Sequence, residues 1–367
     1  MKQTLIAVLA VFLGAARAGA QVPILLEGVA DGELWSTTNG SNLLTRSFGR
    51  PGGVGRVQLW GAVEPFERLV IYGQVDVEGG PARASFVENA YHANMNQFAA
   101  RYTVARALVV DAGQVTPILG TFATRRFSTR NPLIGSPDGY ALDYPVGVVV
   151  SGETKHFDYR AAMVDLPATH RGYTPTPSRH LRPAGGVGYT PIVGVRIGGS
   201  FTVGPYLYRD LTADQLRGEP WTKYKQRVVA ADLAIARGYL ETHFEAARGS
   251  YDVPGRAAPT FGYTYYGEAK YTLTPRFFVA GRAERNKYPF IRPNATGTWS
   301  SRLTDFVDGE LGAGYRLTKS TLVKASVRGD RWWVAYGATG FRGQGGRAFA
   351  LQVSQAFDVV GWFDRAR

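Results

Sequence analysis

Three arginines, Arg125, Arg126 and Arg130, fall within six positions, and the carboxylates Asp138 and Asp143 follow. Clustered guanidinium groups grip oxyanions through paired N–H donors, so this segment could hold phosphate, sulfate or carboxylate if a fold set it against a solute. A second basic group, His170, Arg171, Arg179, His180 and Arg182, lies downstream. Acid–base chemistry has one candidate set, Glu241, His243 and Glu245, whose spacing of two puts all three on one face of a strand. The other histidines, His92, His156, His170 and His180, carry no His-x-Ser pairing and no H-E-x-x-H metal helix, and the chain has no Gly-Lys dipeptide of a phosphate-binding loop. Cysteine is absent, which excludes disulfides, thiolate metal sites and thiol nucleophiles. No cofactor or metal is expected.

The elements that must position these residues follow a rule of two. Segments of about ten residues alternate apolar or aromatic with charged or polar side chains, the signature of half-wet strands. Leu240, Thr242, Phe244 and Ala246 stand against Glu241, His243 and Glu245, and Val307, Leu311, Ala313 and Tyr315 against Asp308, Glu310 and Arg316. Val323, Ala325 and Val327 oppose Lys324, Arg328 and Asp330. The charged set so defined comprises Arg160, Lys270, Arg282, Arg316, Lys324 and Arg328, with Asp76, Asp158, Asp232, Glu241, Glu245, Glu268, Glu284, Asp308, Glu310 and Asp330.

Connections alternate short and long. Glu64–Arg68, Gly152–His156, Pro191–Gly194, Leu273–Pro275 and Leu317–Ser320 are turn-length, whereas Thr38–Gly55, Pro117–Asp143, Leu166–Arg182, Gly204–Tyr224 and Asn286–Ser301 are long. A soluble sandwich alternates too, but its two ends carry loops of similar length. Tight turns on one side and long loops on the other are what a membrane barrel needs. Seven hairpins, at 56–64/69–78, 85–100/106–115, 146–151/157–165, 183–190/194–203, 226–237/239–250, 262–272/276–285 and 304–316/321–332, join flanking strands at 28–37 and 347–357. The predicted fold is therefore all-β: a closed antiparallel transmembrane β-barrel of about sixteen strands, with short periplasmic turns and long extracellular loops. That size leaves an aqueous lumen. The stretch Tyr91–Ala100 reads as strand, turn or short helix. Tyr263, Tyr265, Tyr271, Phe277, Trp332, Trp333 and Phe357, near strand ends, suit interfacial girdles or ordinary sheet aromatics.

The N-terminus supplies the address. A basic start at Lys2, an apolar run over Leu5–Leu13 and small residues ending Ala18-Gly19-Ala20 form a cleavable signal peptide, residues 1–20, ahead of one barrel domain, 21–367. Its removal takes Lys2 and Arg17 and no acid, so the net charge of +13 becomes +11. An exported basic chain does not meet nucleic acid; anionic solutes, outer-membrane lipid and lipopolysaccharide are its expected partners.

The runs SFVENAYHANMN at 85–96 and LVVDAGQVTPILG at 108–120 resemble a bacterial porin pattern. In that pattern an acidic-Ala-Tyr strand is followed by an Ala-Gly-x-x-x-x-Pro-Phe-Gly partner. Here Asn89 separates Glu88 from Ala90, and Ile118-Leu119 replace one aromatic. The chain is thus similar to the sixteen-stranded phosphate-selective porins O and P. The resemblance implies an outer-membrane location, homotrimers, and a third loop, after Gly120, that folds into the lumen.

The functional expectation is a porin: a water-filled channel for passive diffusion of small solutes with a modest anion preference, and not an enzyme. Candidate constriction residues are Arg125, Arg126, Arg130 and Asp138 on the loop and Arg160, Lys270, Arg282, Glu284, Asp308, Glu310, Lys324 and Arg328 on the wall. The same wall charges could instead be cross-strand ladders that only stiffen the sheet, and the loop arginines could meet lipopolysaccharide. The alternatives are a barrel enzyme acting on envelope lipid or peptide through Glu241, His243 and Glu245, and a surface adhesin or structural barrel.

Overall fold

The computed structural model describes residues 23–38, 51–80, 92–137, 144–166, 179–293, 297–334 and 345–360. The expected signal segment, 1–20, lies outside them. Sixteen strands follow in chain order: β1 (Ile24–Thr37), β2 (Gly52–Phe66), β3 (Leu69–Gly79), β4 (His92–Ala105), β5 (Leu108–Gln114), β6 (Val146–Glu153), β7 (Phe157–Val164) and β8 (Arg182–Ile192) form the first half. The second half is β9 (Val195–Pro205), β10 (Lys225–Arg237), β11 (Leu240–Tyr251), β12 (Thr260–Thr272), β13 (Phe277–Pro293), β14 (Trp299–Arg316), β15 (Thr321–Val334) and β16 (Gly345–Asp358). Each strand pairs antiparallel with the next, and β1 pairs with β16 from Glu27↔Asp358 to Thr37↔Ala348, which closes the barrel. Closure leaves no unpaired sheet edge, a requirement in hydrocarbon.

Sidedness is that of a barrel with a wet interior. Glu310 is 1% exposed and its neighbour Leu311 72% exposed. The same inversion recurs with buried Lys324 and Arg328 beside exposed Val327. Apolar side chains therefore cover the outside and ionised ones the inside, the arrangement that spares hydrocarbon any charge. Tyr263, Tyr265, Tyr271 and Trp333 stand exposed on the outer face, with Phe277 and Phe357 half-buried there, as girdles require; the Trp332 side chain lies outside the described residues.

Two boundaries differ from the sequence expectation. The hairpin expected at 85–100/106–115 has its first strand at His92–Ala105 and its turn at Arg106-Ala107; residues 85–91 lie outside the described set. A bulge is the reason. Gln74 and Val75 pair with Gln97 and Met95, so Asn96 is an extra residue and the outward positions switch from odd to even along β4. A period-two reading cannot survive that switch.

The long loop expected at Asn286–Ser301 is instead sheet, paired from Asn286↔Phe306 out to Pro293↔Trp299. The extension is held by burial: Ile291 and Trp299 pack with Tyr206, Leu207, Leu211, Leu216, Tyr224 and Val253, a small core above one side of the barrel mouth. Trp299 Nε1 donates to the Gln215 carbonyl at 2.6 Å, which ties the hairpin to the β9–β10 loop.

Candidate functional site in the barrel lumen

The described part of the β5–β6 connection, residues 115–137, turns inward. It crosses the lumen and docks on the opposite wall. From β5, its contacts run to β14, seven strands away around a ring of sixteen. Thr121 donates to Glu245 on β11 at 2.7 Å, and Arg125 donates to Glu268 at 2.7 Å and to the Tyr266 hydroxyl at 3.0 Å, both on β12. Ser128 donates to Asp31 on β1 at 2.6 Å. Arg126 pairs with Asp76 on β3 and donates to the Tyr144 hydroxyl at 3.0 Å.

Two wall residues clamp the loop's tip. Lys324 on β15 donates to three loop carbonyls, of Ser128 at 2.8 Å, Asn131 at 3.0 Å and Leu133 at 2.9 Å. Glu310 on β14 accepts from the amides of Ile134 at 3.1 Å and Gly135 at 3.0 Å. One ammonium with three donors takes carbonyls and one carboxylate takes N–H groups, so the loop backbone is satisfied without a regular ladder. Gly135 packs closely there: a Cβ would lie 2.8 Å from the Arg328 guanidinium as well as against Glu310, so both side-chain ends would have to shift. Apolar contacts complete the dock: Ile134 with Trp35, Val54, Ala348 and Ala350, and Leu119 with Val228 and Ala247.

Beneath the loop runs a chain of buried charges. Glu268 accepts from Arg125 and from Arg282 at 3.2 Å; Arg282 also reaches Glu310 at 2.8 Å. Arg328 reaches Asp308 at 2.6 Å and Glu284 at 3.7 Å. For Arg125, burial opposes the charge, but Tyr266 and Glu268 outweigh it, so its proton is held more tightly than in a free arginine.

These contacts sort the residues named from the sequence. Arg125, Arg126, Arg282, Glu284, Asp308, Glu310, Lys324 and Arg328 meet in the loop–wall network, most of them buried in it, and act as anchors instead of facing an open passage. Lys270 pairs with Glu241 at 2.8 Å, nearer the turn side. Arg130 is exposed, stacks on Phe127 with 5.9 Å to its ring, and has no carboxylate partner among the described residues. Arg160 faces inward from β7 and has none either. Asp138 and Asp143 lie outside the described residues, as do His170 and Arg171.

Arg182, expected in the long Leu166–Arg182 connection, opens β8 instead. It is fully buried, bonded to Thr202, the Pro205 carbonyl and Gln226. Arg179 pairs with Asp165 at 2.6 Å and His180 meets Trp221 edge to face, with ring centroids 5.6 Å apart. Of the acid–base set, Glu245 is occupied by Thr121 and Tyr266 and Glu241 by Lys270, while His243 makes no hydrogen bond among the described residues.

Sequence reasoning missed Asp31, Ser128, Asn131, Arg56 and Arg196. Arg56 bonds Glu78 at 2.9 Å, and Arg196 bonds Asp158 and Asp232. Both stand in phase with inward neighbours, a signal that glycine-rich flanks diluted. Ser128 and Asn131 had none, since an irregular loop has no period.

No family model and no curated protein matches the sequence. Solved structures do resemble it. The anion-selective porin from Comamonas acidovorans superimposes with a TM-score of 0.60 at 12% identity, over 92% of this chain and 100% of that chain. OmpF of Salmonella typhi, in complex with daunomycin, gives 0.58 at 13% identity over 91% and 97%. OmpT, an outer membrane protein of Vibrio cholerae in its trimer form, gives 0.58 at 9% identity over 92% and 100%. At such identities the likeness is one of architecture, and on that ground the chain is a sixteen-stranded barrel of porin-like fold.

Proposed function

We propose that the protein is a bacterial outer-membrane channel for passive diffusion of small hydrophilic solutes, exported by residues 1–20 and assembled as a trimer. The observation that carries this reading is the loop between β5 and β6, bound across the lumen by Lys324 and Glu310. A loop so placed narrows a wide barrel without plugging it by a separate domain, which gives a size limit and a local field. No catalytic role is proposed for any residue.

The anion preference rests on what the network leaves over. Asp76, Asp111, Asp158, Asp232, Glu268 and Glu310 are matched by arginines. Arg130 and Arg160 have no acid at ion-pair distance among the described residues, so their charge is available to a passing anion. The similarity to an anion-selective porin and the motif resemblance to the phosphate-selective porins point the same way, phosphate being the first anion to try.

Planar-bilayer recording of the mature protein tests the reading. Discrete conductance steps and a reversal potential of anionic sign under a salt gradient are expected. A protein that folds and inserts without steps overturns the channel; steps with cationic sign overturn the preference alone. Turnover of envelope lipid or peptide that disappears in His243→Ala would establish the enzyme reading instead.

A further inference from the structure

The register divides the barrel's outer face into two unlike halves. From β1 to β9, no described outward position within a strand carries a charge. Glycine, apolar side chains and a few uncharged polar ones occupy it, as in Leu26, Gly28, Ala30, Gly32 and Leu34 on β1. From β10 to β16 the outward face carries a row of cations at one height.

The row is continuous by strand pairing. Val229, two residues below Arg227, pairs with Arg248; Arg248 pairs with Tyr263, and Tyr263 with Lys287. Val307, two positions from Asp305, then pairs with Arg331, whose neighbour-but-one Gly329 pairs with Arg347. Two further arginines are already neutralised, Arg227 by Asp252 at 2.8 Å and Arg285 by Asp305 at 3.0 Å. Arg248, Arg331 and Arg347 have no acid at ion-pair distance among the described residues, and Lys287 stands across from Asp305, the carboxylate that Arg285 already holds. Arg248 lies over the Phe261 ring at 4.7 Å and Arg331 over Trp333 at 5.1 Å, which fixes the guanidinium planes and leaves their N–H edges free.

Their height is that of the membrane boundary on the long-loop side. On β10, Arg227 and Arg237 bracket the outward residues Val229, Ala231, Leu233 and Ile235. Ten residues at about 3.4 Å each, tilted by about 40°, rise roughly 26 Å, the thickness of the apolar band of an outer-membrane barrel. Cations at the upper border of that band sit at headgroup level. A second copy presenting the same arc would repel it, so the partner is anionic.

We infer that this arc binds the phosphate groups of the outer leaflet's phosphorylated glycolipid, lipopolysaccharide, and that lipid of this kind is held on β10–β16 and not on β1–β9. The inference rests on the outer-membrane reading above and adds a site to it.

The test uses the refolded full barrel, with folding verified by heat-modifiable gel mobility. Binding of purified lipopolysaccharide is compared with enzymatically dephosphorylated lipopolysaccharide and with phosphatidylglycerol vesicles. Wild type is expected to favour the phosphorylated glycolipid over both. Replacing Arg248, Lys287, Arg331 and Arg347 by Gln together is expected to weaken binding by about six hundredfold, roughly fivefold per cation, with single-channel conductance unchanged. Arg331→Gln alone, the variant least open to a folding defect, should give the single step.

Undiminished binding by the quadruple variant, equal binding of the dephosphorylated glycolipid, or equal competition by phosphatidylglycerol each overturns the proposal. Loss of conductance in the wild type would instead count against the channel, whatever the lipid result.

Discussion

The Lys324 ammonium bonds the Leu133 carbonyl at 2.9 Å across 191 positions of sequence, and the same nitrogen holds the carbonyls of Ser128 and Asn131. One wall cation thus replaces the ladder that the loop cannot form. Asp31 and Glu310, both buried alongside, balance its charge.

Lys324→Met keeps most of the side-chain volume and removes the donor. It leaves three buried carbonyls without it and removes one of the cations beside Asp31 and Glu310, at a cost of roughly 3 kcal/mol. The expected outcome is a barrel that still assembles but melts earlier, with larger open-channel current noise and faster proteolysis within residues 121–137. A variant as quiet and protease-resistant as wild type would show that Lys324 does not hold the loop.

Arg130 and Arg160 should set the sign of selectivity. At about 10 Å in water a unit charge changes an ion's energy by about 0.4 kcal/mol, so reversing one arginine to Glu disfavours an anion and favours a cation by about 0.8 kcal/mol each, roughly fourfold for either ion and about fifteenfold in the anion-to-cation permeability ratio. Arg130→Glu and Arg160→Glu are each expected to give that change at low salt, and less at high salt where screening is stronger. Reversal potentials measured at two ionic strengths check it. Arg282→Glu, by contrast, breaks a buried pair with Glu310 and Glu268 and should reduce folded yield before selectivity can be read.

The outward face has its own test. Leu311 lies mid-strand on β14, facing out. Leu311→Arg is expected to cost about 2–4 kcal/mol of membrane folding stability, as a charge near the bilayer midplane does. An equilibrium folding titration into lipid vesicles measures this, with the outward Arg331→Gln, at the boundary, as the near-neutral comparison.

Much of this molecule was written in its alternation. Glu310 and Leu311, or Lys324 and Val323, fix by type alone which side meets water, because hydrophobic preference acts on each residue separately and period two turns it into two faces. Strand number, short turns such as Leu317–Ser320, and the barrel architecture followed from that local rule. The rule failed where the chain departs from its period, at Asn96 in β4, and where distant packing stabilises extra sheet, at Ile291 and Trp299.

The functional site belongs to tertiary structure. Glu310 reads as a lumen charge from sequence, yet it is spent on the Ile134 and Gly135 amides, whereas Arg130, of the same cluster as Arg125, is left exposed. Nothing local distinguishes Arg125 from Arg130. Which of them is neutralised depends on which carboxylate the closed barrel brings opposite, and that meeting is set by the register of sixteen strands around the ring, a property no segment of the chain holds by itself.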